Sequence, residues 1–255
     1  MELVDTHCHL QFDKLRERTD EVLASARAAG VTKLICVGTT LSDSQGMIEL
    51  AGRHPNVWAA VGIHPHDAVA YVADKEADAK LVELLAQPKV VAVGEIGLDF
   101  YKDYSSPDDQ KKALIGQIKA VLPADLPLIF HIREAWEDFW PIVDEYKIRR
   151  GIVHSFSAGV KELDEALSRG FFVSLNGIMT FSRDEAQLEA ARKVPLDRLL
   201  LETDAPFLAP AGFRGQICEP KHLRTIAEFL AELRGESLEK LAGATTANAQ
   251  KLFGL

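Results

Sequence analysis

Eight short apolar runs recur along this chain, and each is separated from the next by a segment with the polar and apolar spacing of a helix. The runs are LVD (3–5), KLICV (33–37), VWAAV (57–61), VVAVG (90–94), PLIFH (127–131), GIVHS (151–155), FFVSL (171–175) and RLLLE (198–202). They are almost continuously apolar, which is typical of strands covered on both faces. Strands that alternate with helices form a parallel sheet, and eight such units in 255 residues predict an α/β fold of the (β/α)8 TIM-barrel type. A doubly wound open sheet is the alternative.

No internal repeat, low-complexity run or Pro/Gly/Ser-rich linker interrupts this pattern, so we expect residues 1–255 to form a single domain. The clearest helix start is Ser106 as N-cap, with Pro107 in the first helical position. Gly30 and Gly170 stand where helices should end. A further helical pattern covers residues 134–146.

The formal net charge of −9 argues against non-specific attraction to DNA or to an anionic membrane. It does not exclude a phosphate substrate, because divalent metal ions make a pocket electropositive even inside an acidic protein. The three cysteines, Cys8, Cys36 and Cys218, lack CxxC spacing and are typical of reduced thiols. The chain opens without a basic region and has no apolar stretch long enough to span a bilayer, so we expect a cytoplasmic protein with no membrane partner and no obligate protein partner.

Polar motifs stand at or just after six of the predicted strands: DTHCH, GIHPH, GEIGLDFY, HIRE, HSF and ETDAP. In a barrel of this type the functional groups lie at the carboxyl ends of the strands. His7 and His9 are two residues apart, so on an extended segment both side chains point the same way and can bind one ion. For this pair alone, two ordinary polar loop residues are the alternative.

Glu95 follows an apolar run directly, where a carboxylate is costly unless it is paired or bound to a metal. A buried salt bridge with Arg or Lys is the alternative for Glu95. His131 and His154 end consecutive predicted strands, and neighbouring strands lie about 5 Å apart, so both imidazoles can reach one ion. Either histidine alone is more often a hydrogen-bonded structural residue.

The ETDAP motif places Glu202 and Asp204 at the end of the eighth predicted strand. Asp204 is the better candidate for a metal ligand and general base. Glu202 is a candidate for holding water, a substrate group or an additional ion, or else a structural acceptor for a backbone amide or an arginine. His64 in GIHPH is a candidate ligand, substrate contact or hydrogen-bond donor to another ligand.

In this order, and over essentially the whole chain, the motifs DTHCHL, GIHPH, GEIGLDFY, HIREA, HSFS and ETDAPFLAP resemble those of the TatD-family metal-dependent deoxyribonucleases of the amidohydrolase superfamily. The resemblance implies a TIM barrel and hydrolysis of phosphodiester bonds in DNA. It also implies a ligand set: one metal on His7 and His9, Glu95 as a bridge, a second metal on His131 and His154, and Asp204 completing the site. The chain departs from the family pattern at Ser155, Ala158 and Cys218, and none of these changes removes a ligand.

Histidine and carboxylate ligands without thiolate suit two divalent ions, Zn²⁺, Mn²⁺ or Mg²⁺, although imidazole-rich ligation leans away from Mg²⁺. We expect these ions to activate a water molecule and Asp204 to take its proton. The chain has no G-x-S-x-G motif that would supply a serine nucleophile instead.

Arg133 lies two residues beyond His131 and is expected to hold the substrate phosphate, because its guanidinium presents a rigid fork of donors. Arg214 and Lys221 are weaker candidates, and an ion pair with Glu134 or another surface carboxylate is the alternative for Arg133. The chain has no recognition-helix or basic-arm pattern, so we expect a nucleic acid with an accessible end or a single-stranded segment as the substrate.

Two other functions compete. The same barrel and ligands also suit an amidohydrolase-type esterase or deacylase that acts on an acyl ester or amide. Many amidohydrolase relatives bridge their metals with a modified lysine, whereas Glu95 has that place here, which favours the nuclease branch. A non-catalytic metal-binding protein is the second alternative, and turnover of any ester or nucleic acid would exclude it.

Overall fold

The computed structural model describes residues 1–255 and contains eight strands, one at each of the predicted positions. They are β1 (Leu3–Cys8), β2 (Val31–Val37), β3 (Val57–Val61), β4 (Val90–Asp99), β5 (Leu128–Arg133), β6 (Gly151–Val153), β7 (Phe172–Leu175) and β8 (Leu199–Leu201). All belong to one sheet, in which the order of the strands is their order along the chain. The predicted (β/α)8 class is confirmed, and the doubly wound alternative is wrong, because its sheet has a different strand order.

Helices separate the strands as predicted. They are α1 (Asp13–Arg16), α2 (Thr19–Ala28), α3 (Leu41–Arg53), α4 (Ala68–Ala73), α5 (Ala77–Leu85), α6 (Pro107–Val121), α7 (Trp136–Glu145), α8 (Val160–Ser168), α9 (Glu185–Lys193), α10 (Leu223–Arg234) and α11 (Leu238–Phe253). Ser106 caps α6, since its hydroxyl accepts a hydrogen bond from the backbone N–H of Asp109 at 3.2 Å. Gly30 and Gly170 follow α2 and α8 with positive φ angles of 91° and 80°. No helix is both long enough and apolar enough to cross a lipid bilayer.

The chain divides into two compact units. The first unit contains residues 1–36 and 155–255, in which β7 pairs with β8 and β1 pairs with β2, all in parallel. Strand β1 also adjoins the segment after β8, because the backbone N–H of Asp204 donates to the carbonyl of His7 at 2.9 Å and that of His9 donates to Ala205 at 2.7 Å. The first strand therefore lies beside the segment that follows the last strand.

The second unit contains residues 37–154 and the parallel strands β3 to β6. Strand β4 is the longest of the eight and pairs with β3 on one side and with β5 on the other. Strand β6 pairs with β5 through Gly151, opposite Leu128. Four of the motifs each place a polar residue in or just after one of these strands: His64, Glu95, His131 and His154.

Three strands run further than their apolar runs predict. Strand β1 includes His7, β4 continues through Glu95 to Asp99, and β5 continues to Arg133. Backbone pairing sustains this extension: Gly97 faces His131, and Asp99 faces Arg133. The prediction that GEIGLDFY follows the fourth strand was wrong. Side chains point away from the plane of a sheet, so polar residues can belong to β4 without interrupting its backbone hydrogen bonds.

Lys89, just before β4, binds the carboxyl end of α3. Its ammonium group donates to the carbonyls of Ala51 at 2.9 Å, His54 at 2.6 Å, Pro55 at 3.0 Å and Val57 at 3.0 Å. Burial lowers the pKa of Lys89 from its ordinary value. The charge compensates carbonyl groups that the end of a helix leaves without an intrahelical partner.

We expect the substitution Lys89→Met to lower the free energy of unfolding by about 2 kcal/mol, because hydrogen bonds from a charged donor to carbonyls contribute on the order of 1.5–3 kcal/mol. Urea denaturation followed by circular dichroism measures the change. The matched control is Lys75→Met, since Lys75 is exposed and has no such contacts. Equal stability of the two variants would show that the Lys89 contacts contribute nothing.

Candidate active site

In the first unit, His7, His9 and Asp204 come together as predicted. The Nε2 atoms of His7 and His9 lie 3.1 Å apart. Oδ1 of Asp204 lies 3.4 Å from Nε2 of His9 and 3.8 Å from Nε2 of His7. Both imidazoles are buried. Two imidazole nitrogens and a carboxylate oxygen at these distances form a set of donors suited to a divalent cation.

A buried carboxylate that sequence reasoning missed fixes this arrangement. Asp5 accepts hydrogen bonds from the backbone N–H of Thr203 at 2.9 Å and from its hydroxyl at 2.6 Å. The same hydroxyl accepts from the backbone N–H of Ala205 at 3.2 Å. Burial raises the pKa of Asp5 to about 7, against the opposing effect of the Thr203 hydrogen bonds. Asp5 thus holds the residues on both sides of Asp204, which has a positive φ of 58°.

Glu202 is buried, and its partners agree with the structural alternative. Oε1 accepts from the backbone N–H of Ser155 at 2.7 Å and from Nδ2 of Asn176 at 3.2 Å. Asn176 in turn donates to the Ser155 hydroxyl at 2.8 Å. These bonds tie the end of β8 to the segments after β6 and β7.

In the second unit, imidazoles surround the buried carboxylate of Glu95. Its Oε1 lies 2.7 Å from Nδ1 of His131, 2.7 Å from Nε2 of His154 and 3.6 Å from Nε2 of His64. Burial by itself raises the pKa of Glu95, but the facing imidazoles outweigh it and hold that pKa well below its usual range. The predicted meeting of Glu95, His131 and His154 is confirmed. The side chain of His64 adjoins the same cluster, since its ring nitrogen, a Glu95 oxygen and a His131 nitrogen lie within 4.8 Å of one another.

His64 has a different role from the other imidazoles. Its Nδ1 accepts a hydrogen bond from the backbone N–H of His66 at 3.1 Å. Burial, only partly opposed by Glu95, holds the pKa of His64 well below its usual value, so the ring is neutral. A neutral ring whose Nδ1 accepts carries its proton on Nε2. His64 therefore presents an N–H donor toward Glu95 and not a lone pair.

Asp99, from the same motif as Glu95, joins the cluster. Oδ2 lies 2.8 Å from Nε2 of His66 and 3.2 Å from Nε2 of His131. Oδ1 accepts from the backbone N–H groups of Tyr101 at 3.0 Å and Lys102 at 3.1 Å. Hydrogen bonds from His131 and His66 outweigh the effect of burial and hold the pKa of Asp99 below its usual range. Asp99 is thus a cap and a partner of His131 at once.

Arg133 stacks on an aromatic ring. Its guanidinium carbon lies 3.6 Å from the centroid of the Tyr101 ring. The alternative, an ion pair with Glu134, does not form. The two weaker candidates are engaged elsewhere: Arg214 stacks on Phe181 at 3.9 Å, and Lys221 pairs with Glu219 at 2.7 Å.

Known proteins resemble this chain over its full length. The sequence matches the TatD-related DNase family over residues 4–254. It is 37% identical to the uncharacterized metal-dependent hydrolase YabD of Bacillus subtilis, with 98% of each chain aligned. It is also 37% identical to the 3′–5′ ssDNA/RNA exonuclease TatD of Citrobacter rodentium, over 99% of this chain and 98% of that protein. The crystal structure of YJJV, a TatD homologue from Escherichia coli K12, is 32% identical and has a TM-score of 0.93, covering 99% of this chain and 98% of that one.

A (β/α)8 fold with histidine and carboxylate clusters at its strand ends, together with these relatives, defines a metal-dependent hydrolase. The chain belongs to the TatD-related DNase family, since that family matches almost the whole sequence. The resemblance drawn from the motifs is therefore confirmed.

We expect Asp99→Asn to weaken metal binding by about 10- to 100-fold, because a carboxylate that accepts the outer N–H of a ligating histidine typically contributes that much. The amide has one acceptor oxygen, so it cannot accept both from His66 and His131 and from the backbone N–H groups of residues 101 and 102, as the two carboxylate oxygens do. Titration calorimetry with Zn²⁺ or Mn²⁺ measures the change. Asp103→Asn is the control, because Asp103 is an exposed carboxylate of the same loop; parental affinity in both variants would remove Asp99 from this role.

Proposed function

We propose that this protein hydrolyses phosphodiester bonds in DNA, acting on ends or single-stranded segments through a metal-activated water. The proposed ligands of two divalent ions, Zn²⁺, Mn²⁺ or Mg²⁺, are His7, His9, Glu95, His131, His154 and Asp204. Family membership supports the reaction class, and the names of the exonuclease relatives support nucleic acid as the substrate. We also propose that residues 1–255 form a single domain, which is common for barrels of this size.

The observation that carries the proposal is the position of His131 between two carboxylates. Nδ1 lies 2.7 Å from Oε1 of Glu95, and Nε2 lies 3.2 Å from Oδ2 of Asp99. The two carboxylates raise the pKa of His131 above its ordinary value against the opposing effect of burial, so positive charge is favoured between them. A divalent cation would supply that charge on the Nδ1 side, where His131 and Glu95 would hold it, while Asp99 accepts the N–H on Nε2. The donor set therefore fits a metal ion.

When held by these residues, divalent ions would activate water and neutralise phosphate charge. Asp204 accepts the proton of the attacking water, for which a carboxylate beside His7 and His9 is suitably placed. The Nε2–H of His64 donates a hydrogen bond to a phosphate oxygen, and Arg133 binds the phosphate through its guanidinium. Glu202 orients the substrate by keeping the segments of Ser155 and Asn176 in place. We also propose a cytoplasmic location, which the three free cysteines support.

A substrate panel tests the proposal. The metal-loaded protein is incubated with single-stranded DNA labelled at the 5′ or at the 3′ end, with single-stranded RNA, with closed circular duplex DNA and with acyl esters. Release of mononucleotides from one labelled end of single-stranded DNA is expected. Rapid nicking of the closed circle would contradict the preference for accessible ends, and turnover of esters alone would establish the deacylase alternative.

Chelation with EDTA is expected to abolish cleavage, and added Mn²⁺ or Zn²⁺ to restore it. Glu95→Gln and His131→Ala should each lower kcat/KM by roughly a thousandfold or more, because metal-ion catalysis contributes several kcal/mol of transition-state stabilisation. Far-UV circular dichroism should be unchanged, since both substitutions alter side chains and leave the backbone pairing of β4 with β5 in place. Glu83→Gln, an exposed change on α5, is the control. Full activity of Glu95→Gln after metal removal would disprove the metal mechanism.

Arg133→Ala is expected to lower kcat/KM on single-stranded DNA by about tenfold or more at unchanged metal content, because charge-assisted hydrogen bonds contribute on the order of 1.5–3 kcal/mol. Steady-state kinetics and metal analysis measure the two quantities. Parental kinetics would exclude Arg133 from substrate binding, and an equal loss on a neutral ester would point to the deacylase alternative.

A further inference from the structure

The loop of residues 100–106, after β4, presents two strongly exposed tyrosine rings. Tyr101 is 52% exposed and Tyr104 is 66% exposed. Single exposed aromatics are common on protein surfaces and need no function. These two differ because they share one short loop beside the Glu95 cluster and because cations accompany them.

Hydrogen bonds at both ends hold this loop in place. Asp99 accepts from the backbone N–H groups of Tyr101 and Lys102. Nε2 of Gln110 donates to the carbonyl of Ser105 at 2.9 Å, and the Ser105 hydroxyl donates to the carbonyl of His66 at 2.8 Å. The rings are therefore presented by a fixed backbone, and a ligand that binds them does not have to order the loop first.

Positive charge lies against one ring, and the other ring adjoins the active-site cluster. The guanidinium carbon of Arg133 lies 3.6 Å from the Tyr101 centroid, and Nζ of Lys102 lies 5.2 Å from it. The Tyr104 ring centroid lies 4.8 Å from that of His66, which shares the Asp99 carboxylate with His131. Two cations and two exposed rings are thus grouped on a protein whose net charge is −9.

We propose that Tyr101, Tyr104 and Arg133 form a stacking surface that holds the unpaired bases of a single-stranded nucleic acid beside the Glu95 cluster. Aromatic rings and guanidinium planes bind the flat faces of any base, and nearby cations follow the phosphate backbone. Base faces are available in a single strand but are covered by neighbouring pairs in a duplex. The surface therefore selects single strands without reading their sequence. This inference rests on the proposed function and adds the residues that determine its specificity.

Leucine variants test the rings. Tyr101→Leu and Tyr104→Leu should each lower the ratio of kcat/KM on a short oligodeoxynucleotide to kcat/KM on bis(p-nitrophenyl) phosphate, which has no bases, by about tenfold, a loss typical of one stacking contact. Tyr101→Phe and Tyr104→Phe keep the ring and should retain the parental ratio. A ratio that Phe lowers as much as Leu would assign the effect to the hydroxyl group and overturn the proposal.

Binding provides a readout that does not depend on turnover. A single-stranded oligonucleotide containing 2-aminopurine is titrated with the Glu95→Gln protein, with and without metal, and fluorescence quenching is measured, because stacking quenches this base. We expect the Glu95→Gln protein with both tyrosines in place to quench the fluorescence. The same protein with Tyr101→Leu or Tyr104→Leu should lose this quenching. Absence of quenching by the parental surface, or equally tight binding of a duplex of the same sequence, would overturn the stacking surface.

Tyr146→Leu is the matched control and should change neither measurement. Tyr146 also has a cation over its ring, Nζ of Lys119 at 5.7 Å, but it follows α7 at the opposite ends of the strands. If the unsubstituted protein cleaves no nucleic acid at all, the proposed function fails, while the fluorescence titration still decides separately whether bases stack on this surface.

Discussion

The burial of the Glu95 carboxylate is the constraint on which the arrangement of the second unit depends. A buried ionised carboxylate is costly by several kcal/mol unless charged or hydrogen-bonding groups face it. His131, His154 and His64 supply those groups, and they come from β5, from the end of β6 and from the segment after β3. Their strands must bring these three side chains to the level of Glu95, so the register of the sheet determines the composition of the cluster.

The first unit also contains a buried carboxylate, Asp5 on β1, but this residue has a different task from Glu95. It faces Thr203, which supplies both a hydroxyl and a backbone N–H. Because hydrogen bonds to a carboxylate are stronger than those between neutral groups, they fix the backbone on either side of Asp204. Asp5 is thus a positioning residue whose effect reaches the site through the chain, whereas Glu95 is itself part of the donor set.

The sequence alone predicted all eight strands, because continuous apolar runs and helical spacing are local patterns. It also predicted that Glu95, His131 and His154 meet, because parallel strands end at a common edge. It did not reveal the bond between Asp5 and Thr203, whose partners are 198 residues apart. Asp99 was within reach of the same reasoning: it lies four residues after Glu95 on one face of a strand, but the apolar run ends at Gly94 and suggested that the strand ended there too.

The net charge of −9 determines how such a site can recognise a polyanion. Long-range attraction is weak or unfavourable for an acidic protein, and screening removes most of it beyond about 8 Å at physiological ionic strength. Recognition must therefore rest on short-range contacts. Arg133 suits its proposed role because its contact with the Tyr101 ring limits the side-chain entropy that phosphate binding would otherwise cost. In the proposed stacking surface, the same aromatic contact positions the cation for phosphate, and the remaining ring surface provides a face for a base. Under this proposal, selectivity for nucleic acid depends on the geometry of these residues and only weakly on the total charge of the protein.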